Sequence, residues 1–203
     1  MSVTVDFIFD FGSPNGYFAY KALPPILERT GAKLNIVPCL LGGIFKQTNN
    51  QAPMITFSDV KNKLAYQQKD IMRFIAKHDL TEFTFNSNFP VNTLMMMRAA
   101  IVIEEQGRLN EYVEAGLKMM WEDSLKMDDP EVFSEELTKA GFDGNALLAA
   151  TQDPAIKAKL LEKTNAAVER GAFGVPSFFV GDEMFFGKDH LVQLEDEIIA
   201  QST

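Results

Sequence analysis

Val3, Val5, Phe7, Phe9 and Phe11 alternate with Thr4, Asp6, Ile8 and Asp10 at the head of the chain. A period of two in β-forming side chains predicts a strand. The run breaks at Gly12-Ser13-Pro14, where an aromatic-rich helix is predicted to begin. Pro14 suits a first helical position because its missing N–H would find no partner there, and Ser13 is then the N-cap. Gly31 is predicted to end that helix, and KLNIVPCLL from Lys33 reads as a second strand. The default for such a β-α-β opening is a parallel pair joined by a right-handed crossover.

From about Thr48 the strand signal vanishes, and helical periodicity runs to about Gly171. Leu109, Tyr112, Val113, Leu117, Met120 and Trp121 share one helical stripe; Ile156, Leu160, Thr164, Ala167 and Val168 share another. Asp129-Pro130 and Asp153-Pro154 read as helix starts, and Gly107, Gly141 and Gly171 as stops. Strand character returns in PSFFV and EMFF, separated by the turn signal Gly181-Asp182, and Lys188 to Gln201 reads as a closing helix. The pattern predicts an α/β chain of order β-α-β, a large all-helical insertion, then β-β-α. Residues 1–45 and 172–203 would form one discontinuous domain, and 46–171 the helical insertion domain. Repeats and low-complexity segments are absent from the sequence.

Composition narrows the function classes. With 203 residues, 46% of them hydrophobic, the chain can bury a sizeable core. A net charge of -9 disfavours nucleic acid, which demands a basic face. Cys39 is the only cysteine, so an intrachain disulfide is excluded, and in a strand it reads as a small buried hydrophobe. The opening segment lacks a basic n-region and is cut by Asp6 and Asp10, so it does not read as a signal peptide. Its apolar runs are too short for a membrane span, which needs about 20 residues. A reducing, cytoplasmic location is the expectation. Two histidines and one cysteine, widely spaced, make no metal site. Gly42-Gly43 lacks the Gly-Lys-Ser/Thr of a phosphate loop, and Met95, Met96 and Met97 read as core and interface filling.

Ser13 is the candidate for chemistry. Neither His78 nor His190 lies in a base motif, so a covalent serine nucleophile is not expected. A hydroxyl at a helix N-terminus can cap the helix, the commonest use of serine there, or donate a hydrogen bond to a bound anion. Asn92 reads as a cap for the helix after it.

FDFGSPNGY, GGIFKQTNN, KNKLAYQQKDI, FPVNT followed by Arg98, GAFGVPSFF and FFGKDHL occur in the order seen in the kappa-class glutathione transferases and 2-hydroxychromene-2-carboxylate isomerases. The chain resembles that family over nearly its whole length. The resemblance implies a DsbA-like thioredoxin fold in which Ser13-Pro14-Asn15-Gly16 replaces Cys-x-x-Cys, which removes dithiol redox cycling at that position. It implies glutathione as the cofactor, with Ser13 stabilising its thiolate. A charged hydrogen bond of roughly 1.5–3 kcal/mol and a helix terminus of roughly 0.3–1 kcal/mol would lower a thiol pKa by about one to three units.

By the same resemblance Pro176 follows a cis bond that turns the Val175 backbone to the ligand. Gly187, Lys188 and Asp189 hold the γ-glutamyl end, with Asp189 accepting the α-ammonium. Lys63 meets a glutathione carboxylate with Asn50 beside it, and Lys46 meets the substrate carboxylate. His190 stands where the family commonly has arginine. The implied activity is a glutathione-dependent isomerisation of a small aromatic carboxylate by a cytoplasmic homodimer. The alternatives are a kappa-like transferase acting on an electrophile, or a thioredoxin-fold binding protein without chemistry.

Overall fold

The computed structural model describes residues 2–202. Its sheet has four strands in the order β2-β1-β3-β4: β1 (Thr4–Phe9), β2 (Lys33–Pro38), β3 (Ser177–Val180) and β4 (Glu183–Phe186). β1 pairs in parallel with β2, from Thr4 opposite Lys33 to Phe9 opposite Pro38, and antiparallel with β3, from Val5 opposite Val180 to Ile8 opposite Ser177. β3 and β4 form the expected hairpin around Gly181-Asp182. The expected α/β order of β-α-β, helices, β-β-α is present.

Alternation along the strands sets two faces. Val5, Phe7, Phe9, Phe178 and Val180 enter the larger core with Tyr17 and Phe18 on one side and Leu191, Leu194 and Ile198 near the C-terminus. Ile8 and Phe179 point the other way, to a smaller cluster with Cys39, Ile44, Ala167 and Val175.

The first helix departs from expectation. It divides into α1 (Pro14–Ala22) and α2 (Pro24–Thr30), because Pro24 and Pro25 bring no N–H to continue the ladder, and Gly31 ends only the second. The helical region follows: α3 (Leu41–Thr48), α4 (Pro53–Thr56), α5 (Lys61–His78), α6 (Leu94–Glu105), α7 (Leu109–Trp121), α8 (Pro130–Lys139), α9 (Gly144–Ala150) and α10 (Pro154–Glu169). α3 runs from Leu41 across position 46, and the larger core is shared by sheet and inserted helices alike. Asp129 and Asp153 cap α8 and α10 as predicted, accepting from Glu131 N at 3.0 Å and Ala155 N at 2.8 Å. Gly107, Gly141 and Gly171 follow helix ends at φ +72°, +86° and +108°. The closing segment begins as a three-residue 3-10 turn, Lys188–His190, before α11 (Leu191–Ser202), a correction to the single helix expected from Lys188. Met96 and Met97 are core residues, with Met95 packed beside them.

Candidate functional site

Two chain segments 162 positions apart meet at Ser13. Its hydroxyl donates to the Val175 carbonyl at 2.8 Å and accepts from the Gly16 N–H at 3.2 Å, and the residue is 6% exposed. Ser13 is therefore the N-cap of α1 and also ties α1 to the loop before β3. The Val175-Pro176 bond is cis, as expected, and the Phe89-Pro90 bond, which the sequence reading did not single out, is cis as well.

Beneath this contact lies Asp10, buried at 0% exposure. It accepts hydrogen bonds from Gly12 N at 2.8 Å, Leu41 N at 2.7 Å and Thr93 Oγ1 at 2.6 Å. One carboxylate thus gathers the loop before α1, the start of α3 and the start of α6. Burial pushes its pKa up, and the three hydrogen bonds, led by Thr93, pull against that. The sequence reading passed over Asp10, because an acid in an alternating strand looks like a solvent-facing position. Cys39, at the end of β2, is fully buried, its thiol pushed up to about 12 by burial and then by the Asp10 charge. Such a thiol is inert.

From Pro176 the chain turns to the second part of the site. The Gly187 N–H donates to the Pro176 carbonyl at 2.9 Å, which sets the 187–189 loop beside the cis bond. Gly187 has φ +88°, a conformation that favours glycine. Lys188 then turns inward: 5% exposed, its Nζ donates to Asp189 Oδ1 at 2.5 Å and Asp70 Oδ2 at 2.7 Å, and lies 4.9 Å from the centre of the Phe74 ring. Burial works to lower the ammonium pKa, and the hydrogen bonds to Asp189 and Asp70 outweigh it, so the net direction is up. Asp70, on α5, is a site residue missed from the sequence. Its signal was faint: it lies in the KNKLAYQQKDI motif, seven positions after Lys63 and so on the same helical face. The His190 Nδ1–H donates to the Phe186 carbonyl at 2.7 Å and closes the turn.

The remaining predicted residues are more scattered. Asn50, after the end of α3, donates through Nδ2 to the Phe173 carbonyl at 2.9 Å, so its amide supports the loop that leads to Val175. Lys63, exposed in the first turn of α5, sits over the Phe57 ring, its Nζ 3.1 Å from the centre. Lys46 is exposed in the last turn of α3, one helical turn before Asn50. The Asn92 side chain accepts from Leu94 N at 3.0 Å just ahead of α6, whose N-cap position is Thr93 and not the Asn92 expected from the sequence. Among the described residues no cluster of His, Cys, Asp or Glu could hold a metal ion, and no helix is long and apolar enough to cross a membrane.

Comparison with known proteins places this geometry among enzymes. The family model for the DSBA-like thioredoxin domain matches residues 4–199. The 2-hydroxychromene-2-carboxylate isomerase of Sphingobium xenophagum is 28% identical over 199 residues, 98% of this chain and 100% of that protein. The kappa 1 glutathione S-transferase of Rattus norvegicus is 26% identical, over 92% of this chain and 87% of that one. A solved 2-hydroxychromene-2-carboxylate isomerase superposes with a TM-score of 0.82 at 28% identity, covering 96% of this chain and 94% of the other.

Proposed function

This chain belongs to the family of DSBA-like thioredoxin domains, and on that premise we propose that it is a glutathione-dependent isomerase of the 2-hydroxychromene-2-carboxylate type. It is an enzyme: its relatives are isomerases and glutathione transferases, aligned over nearly its whole length. The observation that carries the reading is the Ser13 hydroxyl held on the Val175 carbonyl at 2.8 Å. A hydroxyl has one proton to give. Turned towards a sulfur anion, Ser13 leaves the Val175 carbonyl without its donor, and a peptide N–H presented there like an added strand restores the balance. The oxygen still caps Gly16 while its proton moves between the two acceptors.

The wider site fits a tripeptide. Asp70 and Asp189 together offer carboxylate oxygens to an α-ammonium. Lys63, two turns before Asp70 on one face of α5, lies about 10 Å along the axis at 1.5 Å per residue. An extended tripeptide spans about 10–11 Å, so a ligand with an amine at one end and a carboxylate at the other matches these charges. Bound there, glutathione would supply a thiolate able to add reversibly to a conjugated carbon of an aromatic carboxylate, allowing rotation about the bond. Ser13 stabilises the anion, Asn50 braces the Val175 loop, and Lys46 is the proposed contact for the substrate carboxylate. The division into a discontinuous sheet domain and a helical insertion, with the first boundary moved from residue 45 to the end of α3 at Thr48, the cytoplasmic location and the homodimer belong to the same proposal. Met54, Ile55, Val60, Tyr66 and Met72, exposed along α4 and α5, support an apolar face for a second copy.

The test is Ser13→Ala, followed by ultraviolet titration of bound glutathione. A charged hydrogen bond exceeds the neutral one it replaces by roughly 1–1.5 kcal/mol, so the thiol pKa should rise by about one unit. Isomerisation at neutral pH should fall and partly recover in alkali. An unmoved titration in a folded variant with intact glutathione affinity rejects the role. Turnover of an aryl halide without isomerisation of a chromene carboxylate would assign the chain to the transferases instead.

A further inference from the structure

Asp10 and Lys188 are the only ordinarily charged side chains fully buried among the described residues. Asp10 is satisfied by backbone and hydroxyl groups, whereas Lys188 is satisfied by two acids from different parts of the chain. Asp189 is its neighbour, with a side chain 65% exposed; Asp70 comes from α5 and is 33% exposed. Each carboxylate therefore points one oxygen at a buried ammonium and keeps accessible surface of its own. Lys188 has the opposite character, with stem and head enclosed and its Nζ set against Phe74, which in turn meets Phe18 of α1 at 5.8 Å between ring centres. His78, also on α5, has its charged form disfavoured first by burial, then by Lys77 and by Lys188.

That burial argues against the contact role that the family resemblance gave Lys188. We propose that Lys188 is a positioning residue: its ammonium holds the Asp70 and Asp189 carboxylates side by side as a receptor for a ligand ammonium, and anchors α5 to the site. The receptor half rests on the glutathione reading above; the anchor half does not. Two carboxylates brought together without a counter-ion repel each other, and α5 has no fully buried residue of its own to hold it in place. The lysine resolves both problems, because the charge that neutralises the acids also joins their two elements.

Calorimetry with glutathione and two analogues separates positioning from contact. One analogue lacks the α-amino group and the other lacks the α-carboxylate of the γ-glutamyl residue. The protein should prefer glutathione over the amino-free analogue by roughly ten- to hundredfold. Lys188→Met, which keeps the buried stem, should shrink that preference to about threefold or less while leaving the preference over the carboxylate-free analogue in place, and Lys188→Arg should restore it. Collapse of the carboxylate preference instead would make Lys188 a direct contact and overturn the receptor role, as would an unchanged amino preference. Amide hydrogen exchange without ligand tests the anchor: residues 63–74 should exchange faster in Lys188→Met than in the unaltered protein. Equal exchange overturns the anchor role. Failure of the unaltered protein to bind glutathione overturns the functional reading and the receptor with it, and leaves the exchange result to decide the anchor.

Discussion

α7 and α5 belong to the same helical region and are held by different means. Seven of the thirteen residues of α7 are buried, among them Tyr112, Leu117 and Trp121. Gly116 lies so close to the Phe11 ring that an added Cβ would stand 2.4 Å from its Cε1. α5 is longer, at eighteen residues, yet none is fully buried. Only its second half leans on the core, through Ile71, Phe74 and Ile75, while Tyr66 and Met72 are 59% and 60% exposed. Packing fixes α7; charge and one aromatic cluster fix α5. A helix that lines a ligand site must be able to yield, and helices with few buried contacts are the ones with low local stability.

The contrast can be broken most directly at Trp121, which is fully buried and donates through Nε1 to the Phe11 carbonyl at 2.8 Å. Trp121→Ala should lower unfolding stability by about 3–5 kcal/mol in a denaturant titration. A loss below about 1 kcal/mol would mean that α7 is no better anchored than α5.

A smaller effect should appear at His78, at the C-terminal end of α5. Burial, then Lys77 and Lys188, hold its pKa below the usual value. The folded chain binds fewer protons than the unfolded one at this site, so its contribution to stability is present above about pH 6.5 and is lost as pH falls through the lowered folded value. Amide exchange in α5, normalised for intrinsic rates, should therefore quicken between about pH 7 and pH 5. Exchange in α7 should show no such dependence on His78, and His78→Asn should abolish the dependence in α5. The smallest effect belongs to Tyr66→Ala, which should leave the unfolding stability of the dissociated monomer within about 0.5 kcal/mol. A larger loss that appears only as protein concentration rises would show that the second copy covers the outer face of α5.

The same contrast explains what could be seen in advance. The stripe of α7, the aspartate caps of α8 and α10 and the glycines after α6, α8 and α10 were legible because each rests on local chemistry. Ser13 as N-cap was legible for the same reason, and the family motifs added the loop at Val175. Asp10 and Asp70 were not, since nothing near either residue says that Leu41, Thr93 or Lys188 will come to it. Lys188 was noticed only as part of the ligand-holding FFGKDHL segment, because nothing local says that Asp70 and Phe74 will enclose it. The break after Ala22 could have been read from Leu23-Pro24-Pro25; the expectation of one helix gave more weight to Gly31 than to the two prolines.

The place of β1 in the sheet has a consequence for the chain as it is made. One edge of β1 is taken by β2 soon after the crossover, whereas the other waits for Ser177–Val180, about 140 residues later. At roughly 5–20 residues per second this leaves the strand's second edge open for about 7–30 s on the ribosome. That open edge, from Val5 to Ile8, is a template for stray pairing until about the last eighth of the chain emerges. A message that stops short of β3 yields a chain with that edge permanently open, and a serine that never meets its carbonyl.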